Sequence, residues 1–211
     1  MTLSAQQTSR SSLVEWSVSS FLPPGETESG DKCLVKDVSC GVLAAIVDGA
    51  GHGTEAAAAA RVAVSTLEAH ADEGVVALLR LCHQQLKGTR GAVINLAFFN
   101  GDQDEMTWLG VGNVAGLLLR RNGGNPAGIR EGISLRAGVV GYKLPPLQAS
   151  AISVRPGDTV VLATDGIRRD FEEDVNCQTS PGDMAARLCA KFATGRDDGM
   201  VLVVRYLGWN K

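Results

Sequence analysis

The sequence predicts a single α+β domain built mainly on antiparallel β-sheet. Its 211 residues exceed a common domain length of about 150 by too little for two domains, so we expect one domain over residues 1–211. Strand candidates come first along the chain, two helical segments follow, and further strands and one helix complete it. This order is typical of α+β folds rather than of parallel doubly wound sheets. Turns rich in Gly, Asn and Asp join successive strand candidates, which favours antiparallel hairpins.

The first region, residues 13–48, contains three strand candidates. Residues 13–19 alternate between apolar and polar side chains, the pattern of a strand with one buried face. A loop rich in Pro, Gly and Glu follows at residues 23–30, and two more strands are predicted over residues 32–37 and 41–47. We expect these three strands to form a meander.

Two helices are predicted next. Residues 56–67 consist mostly of strong helix formers, and the hydroxyl of Thr54 is expected to cap the first turn. The second helix covers residues 74–86, where apolar side chains recur at three- and four-residue steps. The alanines of residues 56–60 would let the first helix pack very closely against its neighbour.

The third region is rich in strands. The predicted strands cover residues 92–99, 106–112, 115–120, 148–154, 159–164 and 200–206, and a third helix covers residues 181–193. A strong turn is expected at residues 122–125. Residues 100–105 are predicted to be a hairpin tip rather than a calcium loop, because they lack the central glycine and closing acid of an EF-hand.

Composition excludes several classes of protein. The chain is 45% hydrophobic and 20% charged with a formal net charge of −3, which argues against disorder. Basic residues never form a run longer than Arg120-Arg121 or Arg168-Arg169, which argues against nucleic acid as the partner. The apolar run at residues 41–47 is far shorter than the ~20 residues that span a bilayer, and residues 1–10 lack the core of a signal peptide. We therefore expect a cytoplasmic monomer without a membrane or nucleic-acid partner.

The cysteines do not predict a disulfide framework or a structural metal site. Five are present, an odd number, and they form no CxxC pair, which argues against a disulfide scaffold or a structural zinc site. We expect them to be reduced and mostly buried.

Aspartates recur where predicted strands end. These are Asp48, Asp165, Asp197 and Asp198. The first two directly follow apolar strands and precede glycine, and the other two stand just before the last strand. A carboxylate in such a place is positioned by strand packing yet reaches solvent, and several gathered carboxylates repel each other unless a hard cation such as Mg²⁺ or Mn²⁺ lies between them. Each Asp-Gly alone is also ordinary turn chemistry, but the matching contexts together favour a metal site.

Three motifs carry a family resemblance. Residues 47–53 (VDGAGHG), 156–166 (PGDTVVLATDG) and 196–204 (RDDGMVLVV) resemble, in this order, the aspartate motifs of bacterial PP2C-type Ser/Thr phosphatases of the SpoIIE and RsbU branch. Gly30-Asp31 is similar to the short acidic motif near the start of that family. The resemblance covers residues 29–205. It implies a four-layer αββα sandwich of two antiparallel sheets flanked by helices, and phosphatase activity that depends on one or two Mn²⁺ or Mg²⁺ ions.

The resemblance also assigns roles to individual residues. The implied metal ligands are Asp31, Asp48, the carbonyl of Gly49, Asp165, and Asp197 or Asp198. Asp48 would bridge two ions, Asp165 and Asp197 would complete the first, and Asp31 would lie near the second through water. Asp198 would replace Asp197 if the loop were shifted by one residue. The implied catalytic residues are Asp48, Asp165 and His52.

The sequence departs from the family pattern at several positions. Ala50 stands where animal relatives carry a histidine acid, so His52 is a displaced candidate whose alternative role is to pack beneath Thr54. Gly30 replaces a glutamate, Gly199-Met200 replaces an apolar-Thr pair, and residues 21–31 contain no phosphate-binding arginine. These departures leave two alternatives open. One is a pseudophosphatase that only binds a partner. The other is a metal-dependent hydrolase of small phosphoesters, whose substrate would contact the loop at residues 122–147.

The implied partner follows from the subfamily. The motifs leave little room for a sensor domain, so the chain is similar to stand-alone phosphatases of the RsbX type. These remove phosphate from Ser or Thr of stressosome scaffold proteins. The resemblance therefore implies a phosphorylated, stressosome-like scaffold protein of a stress-response pathway as substrate.

Overall fold

The computed structural model describes residues 5–122, 125–132 and 135–209. The strands are β1 (Ala5–Arg10), β2 (Val14–Phe21), β3 (Asp31–Val38), β4 (Gly41–Gly49), β5 (Ala92–Asn100), β6 (Glu105–Val111), β7 (Ala115–Asn122), β8 (Asn125–Gly132), β9 (Ser150–Ser153), β10 (Thr159–Ala163) and β11 (Gly199–Tyr206). The helices are α1 (Gly53–Ala69), α2 (Val75–Gln85) and α3 (Pro181–Phe192), with a 3-10 helix at Arg169–Glu173.

The strands form two antiparallel sheets. A six-stranded sheet has the order β1-β2-β11-β10-β7-β8, and a five-stranded sheet has the order β3-β4-β5-β6-β9. Side chains from both sheets share one apolar core, which places the sheets face to face. The α1 and α2 helices cover the outer face of the five-stranded sheet, and α3 covers that of the six-stranded sheet. The predicted αββα sandwich is therefore confirmed.

Strand β4 shows why the central strands are apolar throughout. Val42, Ala44 and Ile46 face the other sheet, whereas Leu43, Ala45 and Val47 face the helices. Both faces of the strand are buried, so the sequence runs apolar instead of alternating. Among the described residues, no helix has both the length and the apolar character needed to cross a bilayer.

The predicted meander of the first three strands is wrong. β2 pairs with β1 and β11 in one sheet, whereas β3 and β4 form a hairpin in the other. The loop before β3 carries the chain between the sheets, and the short turn at residues 112–114 does the same between β6 and β7. Local turn signals therefore marked chain reversals, but not the sheet that each strand joins.

Two further details differ from expectation. Helix α1 begins at Gly53, one residue before Thr54, and its N-cap His52 makes no side-chain capping bond. The edge strands β1 and β8 were not predicted; residues 6–10 of β1 are exposed on both faces, so they lack apolar alternation. The predicted turn at residues 122–125 includes residues 123–124, which lie outside the described residues. Of the cysteines, Cys82, Cys177 and Cys189 are buried, whereas Cys33 is half-buried and Cys40 is exposed.

Candidate metal centre

Strand alternation directs several polar side chains into the space between the sheets. In β4 the even-numbered residues up to Ile46 face the opposite sheet, so Asp48 continues that row. The same period places Asp31 in line with Cys33 and Val35, and Asp198 in line with Met200 and Leu202. Asp31 is paired directly opposite Asp48. Three aspartates thus end inward-facing rows at the same end of the sandwich.

Thr164 joins the two sheets at this end. Its hydroxyl donates to Oδ2 of Asp31 over 2.7 Å and accepts the Met200 amide over 2.8 Å. A hydroxyl has one proton to donate and two lone pairs that accept. In Thr164 a lone pair accepts the Met200 amide, and the proton is donated to the Asp31 carboxylate. The buried carboxylate of Asp31 is therefore held by the opposite sheet.

Asp198 makes a second connection between the sheets. Its Oδ2 accepts the Ser29 hydroxyl over 2.6 Å and the Asp31 amide over 3.2 Å. These bonds tie the start of β11 to the start of β3. Asp197, one residue earlier, is exposed, and its Oδ1 accepts the Asp198 amide over 3.0 Å. The period of two separates the neighbours: Asp198 faces inward and Asp197 does not.

The carboxylates influence each other's protonation. Burial, followed by the charges of Asp48 and Asp198, raises the pKa of Asp31 well above its ordinary value. Burial and the charges of Asp165, Asp198 and Asp197 raise the pKa of Asp48 to about 8. Partial burial and Asp198 raise the pKa of Asp197 to about 6. All three shifts report carboxylates that are costly to keep ionised together.

Asp198 behaves in the opposite way. Burial would raise its pKa, but hydrogen bonds from the Ser29 hydroxyl, from Asp197 and from the Asp31 amide outweigh burial, so the pKa is lowered. A carboxylate that already accepts protein donors is stabilised as the anion without a cation. At Asp198, unlike Asp31 and Asp48, the protein hydrogen bonds stabilise the negative charge enough to lower the pKa.

The donor set fits a hard divalent cation. Its members are carboxylates gathered at one end of the sandwich, and oxygen ligands of this kind suit Mg²⁺ and Mn²⁺. Over residues 5–122, 125–132 and 135–209, no three His, Cys, Asp or Glu side chains stand together as a ready-made ligand set. Several oxygens instead accept protein hydrogen bonds, as in Asp31 and Asp198. Binding a cation would require these side chains to turn toward a common point.

The glycines after Asp48 and Asp165 permit close backbone packing. A Cβ at Gly49 would lie 2.0 Å from the Ala56 carbonyl oxygen of α1, and one at Gly166 would lie 1.9 Å from that of Asp198. Any side chain there would push the turn away from its neighbour. Gly166 therefore keeps the Asp165 turn against the loop that carries Asp197 and Asp198.

Asp165 lies at the rim of the site. Its side chain is exposed, and its Oδ2 accepts the side-chain amide of Asn113 over 2.7 Å. The backbone carbonyl of Asn113 in turn accepts Nη2 of Arg169 over 2.9 Å. The sequence did not predict that Asn113, Ser29 or Thr164 belongs to the site. The period of β10 offered a signal for Thr164, which follows the inward row of Val160 and Leu162.

His52 points to solvent. Its side chain is 81% exposed, and Nδ1 lies 3.9 Å from Oε1 of Glu26. This exposure does not agree with a side chain packed beneath Thr54. Among the described residues, His52 lies within ion-pair distance of Glu26 and not of a site aspartate. Its role as a general acid stays a prediction.

Comparison with known proteins relates the chain to phosphatases. The family model described as Stage II sporulation protein E (SpoIIE) matches residues 40–207. Phosphoserine phosphatase RsbX of Bacillus subtilis (strain 168) is 23% identical over 188 residues, which cover 87% of this chain and 89% of that protein.

Solved structures show the same fold. The crystal structure of RsbX in complex with magnesium superposes with a TM-score of 0.84 at 20% identity, covering 96% of this chain and 100% of that chain. A chain from work on the bacterial stressosome, described as a modular system adapted to control secondary messenger signalling, gives a TM-score of 0.80 at 30% identity. That match covers 91% of this chain and 99% of the other.

Proposed function

The chain belongs to the SpoIIE family of PP2C-type phosphatase domains, and from this membership we propose that it is a metal-dependent protein serine/threonine phosphatase. The observation that carries the proposal is the gathering of aspartates at one end of the sandwich: Asp31 and Asp48 belong to the five-stranded sheet, and the charges of Asp165 and Asp197, beside strands of the other sheet, act on Asp48. Burial and their mutual charge repulsion raise the pKa values of Asp31 and Asp48, and a bound divalent cation would offset both effects.

We assign the metal to particular groups of this chain. Asp48, the carbonyl of Gly49, Asp165 and Asp197 would hold an Mn²⁺ or Mg²⁺ ion, and Asp31 would lie near a second one. When bound, such ions activate water as the nucleophile and offset the charge that develops on the transferring phosphoryl group. Hydrogen bonds from Thr164 and Asn113 hold the carboxylates of Asp31 and Asp165 at this end of the sandwich.

Asp197 and Asp198 take different roles in this proposal. Asp198 already accepts two protein donors that join β11 to β3. Asp197 is exposed, and its Oδ1 accepts the backbone amide of its chain neighbour Asp198. We therefore assign Asp197 as the metal ligand and Asp198 as the residue that holds the loop in place.

The proposed substrate is phosphoserine or phosphothreonine in a cytoplasmic regulatory protein. The likeness to RsbX along most of both chains, and the 30% identity to a stressosome-related chain, support a stressosome-like scaffold protein in a stress-response pathway. The absence of a phosphate-binding arginine in residues 21–31 means that another residue must bind the phosphate.

Phosphate release tests the proposal. It would be measured from phosphoserine and phosphothreonine proteins with Mn²⁺, with Mg²⁺ and with a chelator, for wild type and Asp48→Ala. We expect release that requires the metal and is lost in Asp48→Ala, while Asp102→Ala in the exposed hairpin tip remains active.

Other outcomes would point elsewhere. Stable binding of the phosphoprotein without any release would favour the pseudophosphatase. Release from small phosphoesters but not from phosphoproteins would favour the metabolite hydrolase.

A further inference from the structure

We propose that Arg169 binds the phosphate group of the substrate and that Asn113 holds it beside Asp165. The inference rests on the proposed phosphatase function and names the phosphate-binding residue that the upstream sequence lacks. Its basis is a contact chain from a candidate metal ligand to a guanidinium group.

Asn113 contacts both partners at once. Its side-chain amide donates to Oδ2 of Asp165 over 2.7 Å, and its backbone carbonyl accepts Nη2 of Arg169 over 2.9 Å. Asn113 lies in the turn between β6 and β7, directly after Gly112. Gly112 has a φ of 108°, and a Cβ there would lie 2.1 Å from Cγ1 of Val93. The backbone conformation of this turn is therefore restricted by packing. Asn113 lies between the Arg169 guanidinium and the Asp165 carboxylate and contacts both.

The backbone of Arg169 is also held in place. It opens the 3-10 helix that follows the Asp165 turn. Ile167 and Phe171 on either side are buried in the core beneath α3. The Arg168 amide donates to the Phe192 carbonyl over 2.9 Å. These contacts anchor the segment, so the guanidinium extends from a rigid part of the fold.

Arg169 keeps donors for a ligand. A guanidinium has five N–H donors, and the described contacts of Arg169 use Nη2 alone. In the described part of the chain no carboxylate pairs with it, whereas Arg168 pairs with Asp170 and lies over the Phe192 ring. Arg90 likewise pairs with Glu55. An exposed guanidinium with unused donors matches the planar, bidentate geometry of a phosphate.

Two other cations lie near the aspartates. Lys32 donates its Nζ to the Ser29 carbonyl over 3.0 Å, and a lysine ammonium lacks the bidentate fork. Arg196 is exposed next to Asp197, but its guanidinium makes no hydrogen bond or ion pair with the described residues. Arg169 differs because the residue that holds it also contacts a proposed metal ligand.

Matched variants test the assignment. Wild type, Arg169→Ala, Arg169→Lys, Arg168→Ala and Arg196→Ala would be compared with Mn²⁺ present, measuring KM and kcat on a phosphoserine peptide and inhibition by inorganic phosphate. We expect Arg169→Ala to raise KM and the phosphate inhibition constant about 10- to 100-fold, the effect of losing hydrogen bonds to a charged group. Arg169→Lys should recover part of the loss. Arg168→Ala should stay close to wild type, because its contacts are to Asp170 and Phe192.

Calorimetric titration of inorganic phosphate into the same proteins gives a second readout that needs no turnover. Phosphate binding by wild type that weakens in Arg169→Ala, at an unchanged melting temperature, would support the assignment even if no phosphoprotein were hydrolysed, which would count only against the proposed function. Equal phosphate affinity in Arg169→Ala and wild type would overturn it. Weakening confined to Arg196→Ala, or no phosphate binding by wild type at millimolar concentration, would do the same.

Discussion

Thr164 shows how one buried hydroxyl orders the site. It links the end of β10 to Asp31 in the other sheet and also accepts the Met200 amide of β11. Neither bond follows from local sequence, because the partners are 133 and 36 residues away in the chain. At this scale the site is a set of hydrogen bonds across the gap between the sheets.

Replacing Thr164 should therefore cost stability. Thr164→Val keeps the shape but leaves the Met200 amide without its acceptor and Asp31 without a donor, so we expect the free energy of unfolding to fall by about 1–3 kcal/mol. Thr164→Ser keeps the hydroxyl and should recover most of that loss. Urea denaturation without added metal measures both, and equal stability of the Val and Ser variants would contradict this role.

Helix α1 depends on small side chains at the scale of the element. Ala59, Ala60 and Ala63 are fully buried against the five-stranded sheet. Gly49 meets the backbone of the first turn of the same helix. The helix and the Asp48 turn thus come close because neither carries bulk at the contact, which the run of alanines predicted.

Enlarging this contact should destabilise the protein. Ala60→Leu inserts three carbons into a packed core, and we expect the free energy of unfolding to fall by about 1–3 kcal/mol. Ala58→Leu lies on the exposed face of the same helix and should change stability by less than about 0.5 kcal/mol. Denaturant melts of the pair test the prediction, and similar losses in both variants would show that close packing is not the cause.

At the scale of the whole molecule, a metal ion bound by the gathered aspartates would link folding to metal binding. A cation that binds only the folded state at about 100 times its Kd adds about 2.7 kcal/mol. For a chain of this length that corresponds to a rise of about 5–10 °C in melting temperature. The two sheets contribute acids to the same end, so the cation would bridge the halves of the sandwich.

Melting curves with and without Mn²⁺ should separate Asp197 from Asp198. Asp197→Ala should lose most of the metal-induced rise and keep its metal-free melting temperature. Asp198→Ala should melt lower even without metal, since the hydrogen bonds from the Ser29 hydroxyl and the Asp31 amide to the Asp198 carboxylate are lost. Asp102→Ala is the control for the loss of one negative charge. A full Mn²⁺-induced rise in Asp197→Ala would contradict its assignment as a ligand.

The order of the helices, most of the strands and the aspartates at their ends could be predicted from the amino-acid sequence. The local pattern of apolar residues indicates which faces of an element are buried. In β4, β10 and β11 almost every residue is buried, and their sequences are apolar almost throughout. The aspartates stand directly beside these apolar strands in the sequence, and the family motifs contain the same residues.

The assignment of strands to sheets and the contacts between distant side chains depend on tertiary packing and could not be predicted. A turn signal marks a reversal of the chain whether the next strand pairs beside the last or crosses to the other sheet, so the meander was wrong. The contacts between Thr164 and Asp31, and from Asn113 to Asp165 and Arg169, join residues far apart in the chain. They arise because two sheets pack with their ends aligned, and that alignment is a property of the packed core rather than of any local segment.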